Sequence, residues 1–272
     1  MRDDFFWFRE NEIVIPGVRG EHLFMHITDN HLHAWDELST DAEREEAEKQ
    51  EANWMKGKEN FARGSGEPYG EAQMISSTEA FEKDLALAAE LEPEALLLSG
   101  DNLDYTHPAG ERYLSRMLGG YPGRFICVPG NHESESCPGV WSAGLKTFDF
   151  DGFRIAAIDD RKKTVSDADL AALEALCAEG IPLIVLCHIP VSTDLCRGAM
   201  QTLDPYFFID SGSDDRNAAG FVSLLAGSGT VKAVICGHVH GYHRLDIAPG
   251  KPQIIGSQGM AGAVGLITVK GA

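Results

Sequence analysis

Short apolar runs that stop abruptly at polar, ligand-type residues recur five times along this chain. Residues 22–28 (HLFMHIT) lead into Asp29-Asn30-His31, and residues 95–99 (ALLLS) into Gly100-Asp101-Asn102. Residues 124–128 (RFICV) lead into Pro129-Gly130-Asn131-His132-Glu133, and residues 182–187 (PLIVLC) into His188. Residues 231–236 (VKAVIC) lead into Gly237-His238-Val239-His240. Brief β-branched-rich runs bounded by Gly and Pro read as buried strands.

Helical patterns lie between several of these runs. Ser76-x-x-Glu79 predicts a capping box, followed by Phe81, Leu85 and Ala88 at helical spacing and closed near Pro93. Ser166-x-x-Asp169 opens a second helix with Leu170, Leu173, Leu176 and Cys177 on one face and Gly180 past its end. Residues 217–226 form a weaker third pattern. Strands alternating with helices predict an α/β chain, whose ligands gather at the carboxyl ends of strands. All five polar clusters fall at such ends.

Two segments interrupt the alternation. Residues 36–63 are charge-rich, with Thr40-x-x-Glu43 as a cap and Ala47, Trp54 and Phe61 recurring every seven residues. This reads as a solvated helical insertion laid over the body. Residues 192–216 read as a long loop of the kind that shapes a substrate pocket. Past it, residues 244–269 alternate short apolar runs with Pro-Gly and Gly-rich turns, which predicts antiparallel strands. No internal repeat or interdomain linker is visible, so residues 1–272 are expected to form one domain.

Composition narrows the partners. With 23 Lys+Arg against 42 Asp+Glu, the net charge is −19, which repels long nucleic acid and anionic membrane surfaces. An anionic small substrate then needs a local positive centre, such as bound metal. None of the six Cys forms a CxxC pair, and Cys127, Cys187 and Cys236 sit inside apolar runs as small buried thiols. The N-terminal residues are too charged for a secretory leader, and no window approaches a membrane span. A cytoplasmic, reducing location is therefore expected.

The strand ends hold Asp29, Asp101 and Asn131 together with His31, His188, His238 and His240. Carboxylate oxygens and imidazole nitrogens suit Mn, Fe and Zn. Seven donors exceed one tetrahedral site and fit two ions about 3.5–4 Å apart, the arrangement of two-metal phosphoryl hydrolysis.

In this order the blocks Asp29-x-His31, Gly100-Asp101-Asn102, Gly130-Asn131-His132-Glu133, His188 and Gly237-His238-x-His240 resemble the calcineurin-like metallophosphoesterase superfamily. The resemblance runs from Asp29 to His240. It implies a two-sheet β-sandwich flanked by helices in four α/β/β/α layers. It implies Asp29, His31 and His240 around one ion, Asn131, His188 and His238 around the other, and Asp101 bridging, with divalent or trivalent Mn, Fe or Zn. It also implies that His132 faces the phosphoester and protonates or stabilises the leaving oxygen, oriented by Asp104. The implied activity is hydrolysis of a small soluble phosphodiester or phosphomonoester by metal-bridging hydroxide.

Departures from the family pattern refine the expectation. Tyr105 stands where protein Ser/Thr phosphatases carry an Arg, so phosphoproteins lose weight as substrates. Purple acid phosphatases place a metal-bound Tyr at the position of Asp104, so their charge-transfer colour is not expected. Arg244 is a candidate for contacting substrate phosphate. His22, His26 and His243 read as packed, edge or surface residues, and Glu133 as a support for its loop. The competing function is a non-catalytic protein-interaction module on the same fold, which His132→Ala separates from an enzyme. The pattern leaves the oligomeric state open.

Overall fold

A computed structural model of the chain describes residues 4–204 and 207–272. The strands are β1 (Trp7–Val14), β2 (Glu21–Ile27), β3 (Ala95–Leu98), β4 (Phe125–Cys127), β5 (Lys146–Phe150), β6 (Phe153–Ala157), β7 (Leu183–Leu186), β8 (Val191–Ser192), β9 (Ile209–Asp210), β10 (Val231–Cys236), β11 (His243–Ala248), β12 (Lys251–Ile255) and β13 (Ala263–Lys270). The helices are α1 (Asp41–Ser65), α2 (Ser77–Leu91), α3 (Pro108–Gly120), α4 (Asp167–Glu179), α5 (Arg197–Leu203) and α6 (Arg216–Gly227).

Two sheets carry the molecule. One runs β1-β13-β2-β3-β4 and the other β11-β12-β10-β7-β6-β5. Within the first, β2, β3 and β4 are parallel; within the second, β6, β7, β10 and β12 are parallel. Parallel strands buried on both faces need continuous apolar sequence, and β3 and β7 show what each face meets. Leu97 of β3 and Ile184 and Leu186 of β7 share the core between the sheets with Phe24, Ile235 and Ile267. Leu96 and Leu98 point the other way, onto Phe81 and Leu85 of α2 and Leu114 of α3. Leu183 and Val185 pack outward with Leu173 of α4 and Phe221 and Leu225 of α6. The result is the expected α/β/β/α layering.

The predicted helices form with their N-caps where expected, although Ser76 makes only its own half of the expected capping box. Thr40 makes the full capping box with Glu43, Ser76 and Ser166 accept from the backbone N–H three residues on, and Gly180 closes α4 in the left-handed region. The expectation for residues 244–269 is met in part. β11 is antiparallel to β12 and β13 to β2, but β12 runs parallel to β10 and β13 parallel to β1. The expected loop over residues 192–216 holds α5 and the short β8–β9 pair; Pro205 and Tyr206 within it lie outside the described residues. No described helix is long and apolar enough to cross a membrane. All six cysteines are free thiols, with Cys187 and Cys236 buried and Cys127 half-buried.

Candidate metal centre

Each candidate donor follows the carboxyl end of a parallel strand: β2 for Asp29 and His31, β3 for Asp101, β4 for Asn131, β7 for His188, and β10 for His238 and His240. The strands deliver the chain to one place, but the turns that follow must be sharp. Asp29, His31, Asp101, His238 and His240 all have positive φ, between 42° and 77°, a region side chains other than Gly rarely adopt. Such strain persists only where surrounding structure over-determines it. Here the two sheets do so. Asp29 N–H donates to the Gly100 carbonyl, His31 N–H to the Asp101 carbonyl, and Gly237 N–H to the His188 carbonyl. Both carboxylate oxygens of Asp29 accept from His238 N–H. A Cβ at Gly130 would lie 2.1 Å from Asp101 Oδ1, and one at Gly237 1.9 Å from Thr28 Oγ1, so only glycine allows these approaches.

The donor atoms converge in two groups. Around the first, His240 Nε2 lies 3.3 Å from Asp29 Oδ1 and 3.1 Å from His31 Nε2, which is 4.0 Å from Asp29. Around the second, His188 Nε2 lies 3.1 Å from Asp101 Oδ2 and 3.0 Å from Asn131 Oδ1. His238 joins Asp101 and His188 within 4.8 Å. Asp101 stands between the groups, because the same Oδ2 is 3.9 Å from His31 Nε2.

Two observations test whether cations fit. Both ring nitrogens of His238 and Nδ1 of His240 are buried without a hydrogen-bond partner, although buried polar atoms are nearly always paired. The field of the site is also strongly attractive to positive charge. Burial by itself would raise the Asp29 and Asp101 carboxyls, yet His240 beside Asp29 and His188 beside Asp101 hold both below the ordinary carboxylate range. Burial would likewise lower His188, yet Asp101 and Asp29 push it up to about 10. Carboxylates that keep a fully buried imidazole protonated offer the same field to a divalent ion.

His132 sits at the edge of this centre, half-exposed, and Asp104 holds it. Its Nδ1 donates to the Asp104 carbonyl at 2.6 Å and lies 3.4 Å from the Asp104 carboxylate. Burial opposes charge on this ring, but Asp104 and Asp101 raise it to about 9. Asp104 also takes the Nδ1–H of His31 at 3.1 Å and stands 3.0 Å from His33 Nε2. On its other side His33 meets Glu51 of α1 at 3.2 Å. Glu51 in turn accepts from the backbone N–H and hydroxyl of Ser77, at the start of α2, where the helix dipole favours an anion. A continuous polar chain therefore links α1 to His31 and His132.

The same helix walls the centre. Trp54 stacks on His31 with ring centroids 4.1 Å apart, and Phe61 meets His240 edge-on at 4.4 Å. Glu67, just past α1, accepts from Tyr242 N–H and from the Ser257 hydroxyl, and so pins the turn that carries His240. Above the donors opens a cavity of about 700 Å³, lined by the end of α1, Asp101, Asn131, His132, His238, His240, Phe207 and His243.

Other expectations sort by position. Arg244 points away from the cavity: its guanidinium donates to Asn11 Oδ1 and the Glu12 carbonyl on β1. His243, expected at the surface, lines the cavity instead. His22 pairs with Glu94 and His26 with the Ser99 hydroxyl. Glu133 accepts from Gly130 and Leu103 N–H and so holds its loop. Asp160 is a support that the sequence pattern does not mark. Fully buried, it accepts from the backbone N–H of His188 and Ile189, and burial raises its carboxyl to about 7. Its only sequence signal is its place after β6, a strand adjacent to β7.

A family profile described as calcineurin-like phosphoesterase matches residues 22–242. No curated protein matches the sequence. Among solved structures, the chain is similar to a dimetal phosphatase from Danio rerio, with a TM-score of 0.56 and 12% identity over 89% of this chain and 91% of that one. It is also similar to a purple acid phosphatase from yellow lupin (Lupinus luteus) seeds, with a TM-score of 0.50 and 12% identity over 92% of this chain and 46% of that one. At such identities the likeness shows the fold, and the profile match shows the family. The chain belongs to the calcineurin-like phosphoesterase family of metal-dependent phosphoric ester hydrolases.

Proposed function

We propose that the protein hydrolyses a P–O bond of a small phosphorylated substrate at a two-metal centre. Asp29, His31 and His240 would hold one ion, Asn131, His188 and His238 the other, with Asp101 shared by both. Two adjacent cations held there would supply Lewis acidity, for activating water and for offsetting the charge of phosphoryl oxygens.

The remaining work falls to the chain's own groups. His132 spends Nδ1 on Asp104, which fixes the ring's orientation and leaves Nε2 as the nitrogen that can hand a proton to a leaving oxygen. Asp104 serves His31 and His132 together, so one carboxylate sets the orientation of a donor and of the acid. Trp54 and Phe61 cover the first donor group with apolar surface and limit the water that reaches it. The single observation that supports the reading most strongly is the convergence of seven donors from five strand ends, with the His238 nitrogens left unpartnered. A scaffold role does not call for that complete set together with His132. We also read the chain as one domain, with α1 as its helical insertion.

The test is release of nitrophenol from mono- and bis(4-nitrophenyl) phosphate after loading with Mn. Turnover of at least one ester, abolished by chelation, supports the reading. No turnover of either with two ions verified per chain overturns it.

A further inference from the structure

We infer that the site is built for phosphoesters whose alcohol carries a flat ring and which bear a single phosphate group, with Phe61 as the surface that receives the ring. The inference rests on the phosphoesterase reading above and adds to it a substrate class.

Phe61 is 40% exposed and lines the cavity. Its position is fixed rather than loose. The ring meets His240 at 4.4 Å and 75°, and Trp54 lies behind it, nearly parallel, at 6.1 Å. Trp54 in turn stacks on His31. The uncovered part of Phe61 therefore belongs to an aromatic series that ends on two candidate metal ligands. Aromatic pairs settle with centroids about 4.5–7 Å apart, so a ring resting on Phe61 stays beside His240. Asp101 and Asn131 line the same cavity as Phe61, so a phosphoryl group two or three bonds from that ring shares the space with both donor groups. Phe207 supplies a second apolar wall; its ring packs on His238 at 4.6 Å, on the other donor group.

The charge of the lining sets the second half of the inference. Among the described residues that line the cavity there is no Lys or Arg, whereas Asp101 and Asp204 both line it. Lys163 Nζ lies over the Phe207 ring, 5.0 Å from its centroid, and is not part of the lining. Positive charge for a substrate would come from the metal pair and from His132 at the cavity edge, in a chain of net charge −19. One phosphate would be received by the metal pair and His132; a second one placed along the cavity meets Asp204 and, among the described lining residues, no Lys or Arg.

The experiment compares benzyl phosphate with butyl phosphate, two esters of primary alcohols that differ in the ring, by phosphate release from the Mn-loaded protein. Calorimetric binding of benzylphosphonate and butylphosphonate provides a readout independent of turnover. The expected result is kcat/KM about tenfold higher for the benzyl ester and a similar ratio of Kd values, the scale of one aromatic contact. Phe61→Ala should collapse both ratios toward one, and Phe61→Tyr should restore them. Adenosine monophosphate against benzyl phosphate tells a nucleoside ring from a simple aryl ring. Adenosine diphosphate should be at least tenfold poorer than the monophosphate. Equal ratios in the unaltered protein, or ratios that Phe61→Ala leaves intact, overturn the inference while ester hydrolysis stands. Preferential benzylphosphonate binding without turnover supports the inference and removes the hydrolase reading instead.

Discussion

The centre has two walls of different make. On one side are the strand-end turns, where five candidate ligands sit at positive φ and glycines at 130 and 237 admit neighbours that a Cβ would strike. On the other side is α1, a regular capped helix that reaches the same place with Glu51, Trp54 and Phe61. The turns are held by the hydrogen bonds of two packed sheets, so their geometry is rigid and strained. The helix is unstrained and is joined to the body by a few specific contacts. One of these is buried: Lys58 donates to the Ile75 carbonyl at 2.8 Å, near enough to Asp84 for their charges to interact. Burial lowers Lys58 to about 8 and raises Asp84 well above the ordinary carboxylate range. The difference teaches that donor placement and donor environment are separate problems here, solved by different parts of the chain.

Substitutions can break that division, beginning with the largest effect. Asp101→Ala removes the carboxylate that stands between the donor groups. Metal bound per chain should fall at both groups, and turnover should drop to the assay background; full metal content would refute the shared role. His132→Ala removes no proposed ligand and keeps the backbone N–H that donates to Asp101, so metal content should persist while kcat falls about 10²–10⁴-fold, the usual contribution of a positioned acid. Glu51→Gln alters only the helix side. Loss of an outer partner of this type costs about tenfold in activity or metal affinity at the low end, and Glu51→Asp should recover part of it. An unchanged rate would show that the His33–Asp104 pair stands without α1. Lys58→Met leaves the donors in place and acts on stability. It strands the Ile75 carbonyl, and unfolding should cost about 1–3 kcal/mol less in denaturant titration. Both carboxyl oxygens of Asp84 are buried without a hydrogen-bond partner and would remain so in Lys58→Met, so Lys58→Met with Asp84→Leu should be more stable than the single variant.

Most of the strand-end wall is legible in the sequence, because strands buried on both faces must be apolar throughout and their ligands follow at once. Residues 95–98 illustrate this: ALLL, then Ser-Gly-Asp. The helix wall is far less legible. Ala47, Trp54 and Phe61 mark its stripe, but Lys58, fully buried, and Glu51, half-buried against the body, look like two more charges in an acidic helix. Nothing local announces that Glu51 meets His33 or that Lys58 is sealed from water. The hairpin of β5 and β6 escapes for another reason. Its signal, Asp151-Gly152 between Phe150 and Phe153, is present, with Gly152 at φ 90°, but both flanking strands are short, and β5 is largely exposed while β6 is buried. Arg244 shows the limit of reading a site from proximity in sequence. Four residues past His240, it sits on a strand that carries its side chain to β1.

Anomalous diffraction from crystals of the Mn-loaded protein tests the central claim most directly. The account predicts two peaks about 3.5–4 Å apart on either side of Asp101, one among Asp29, His31 and His240 and one among Asn131, His188 and His238. A single peak, or peaks away from Asp101, would contradict it.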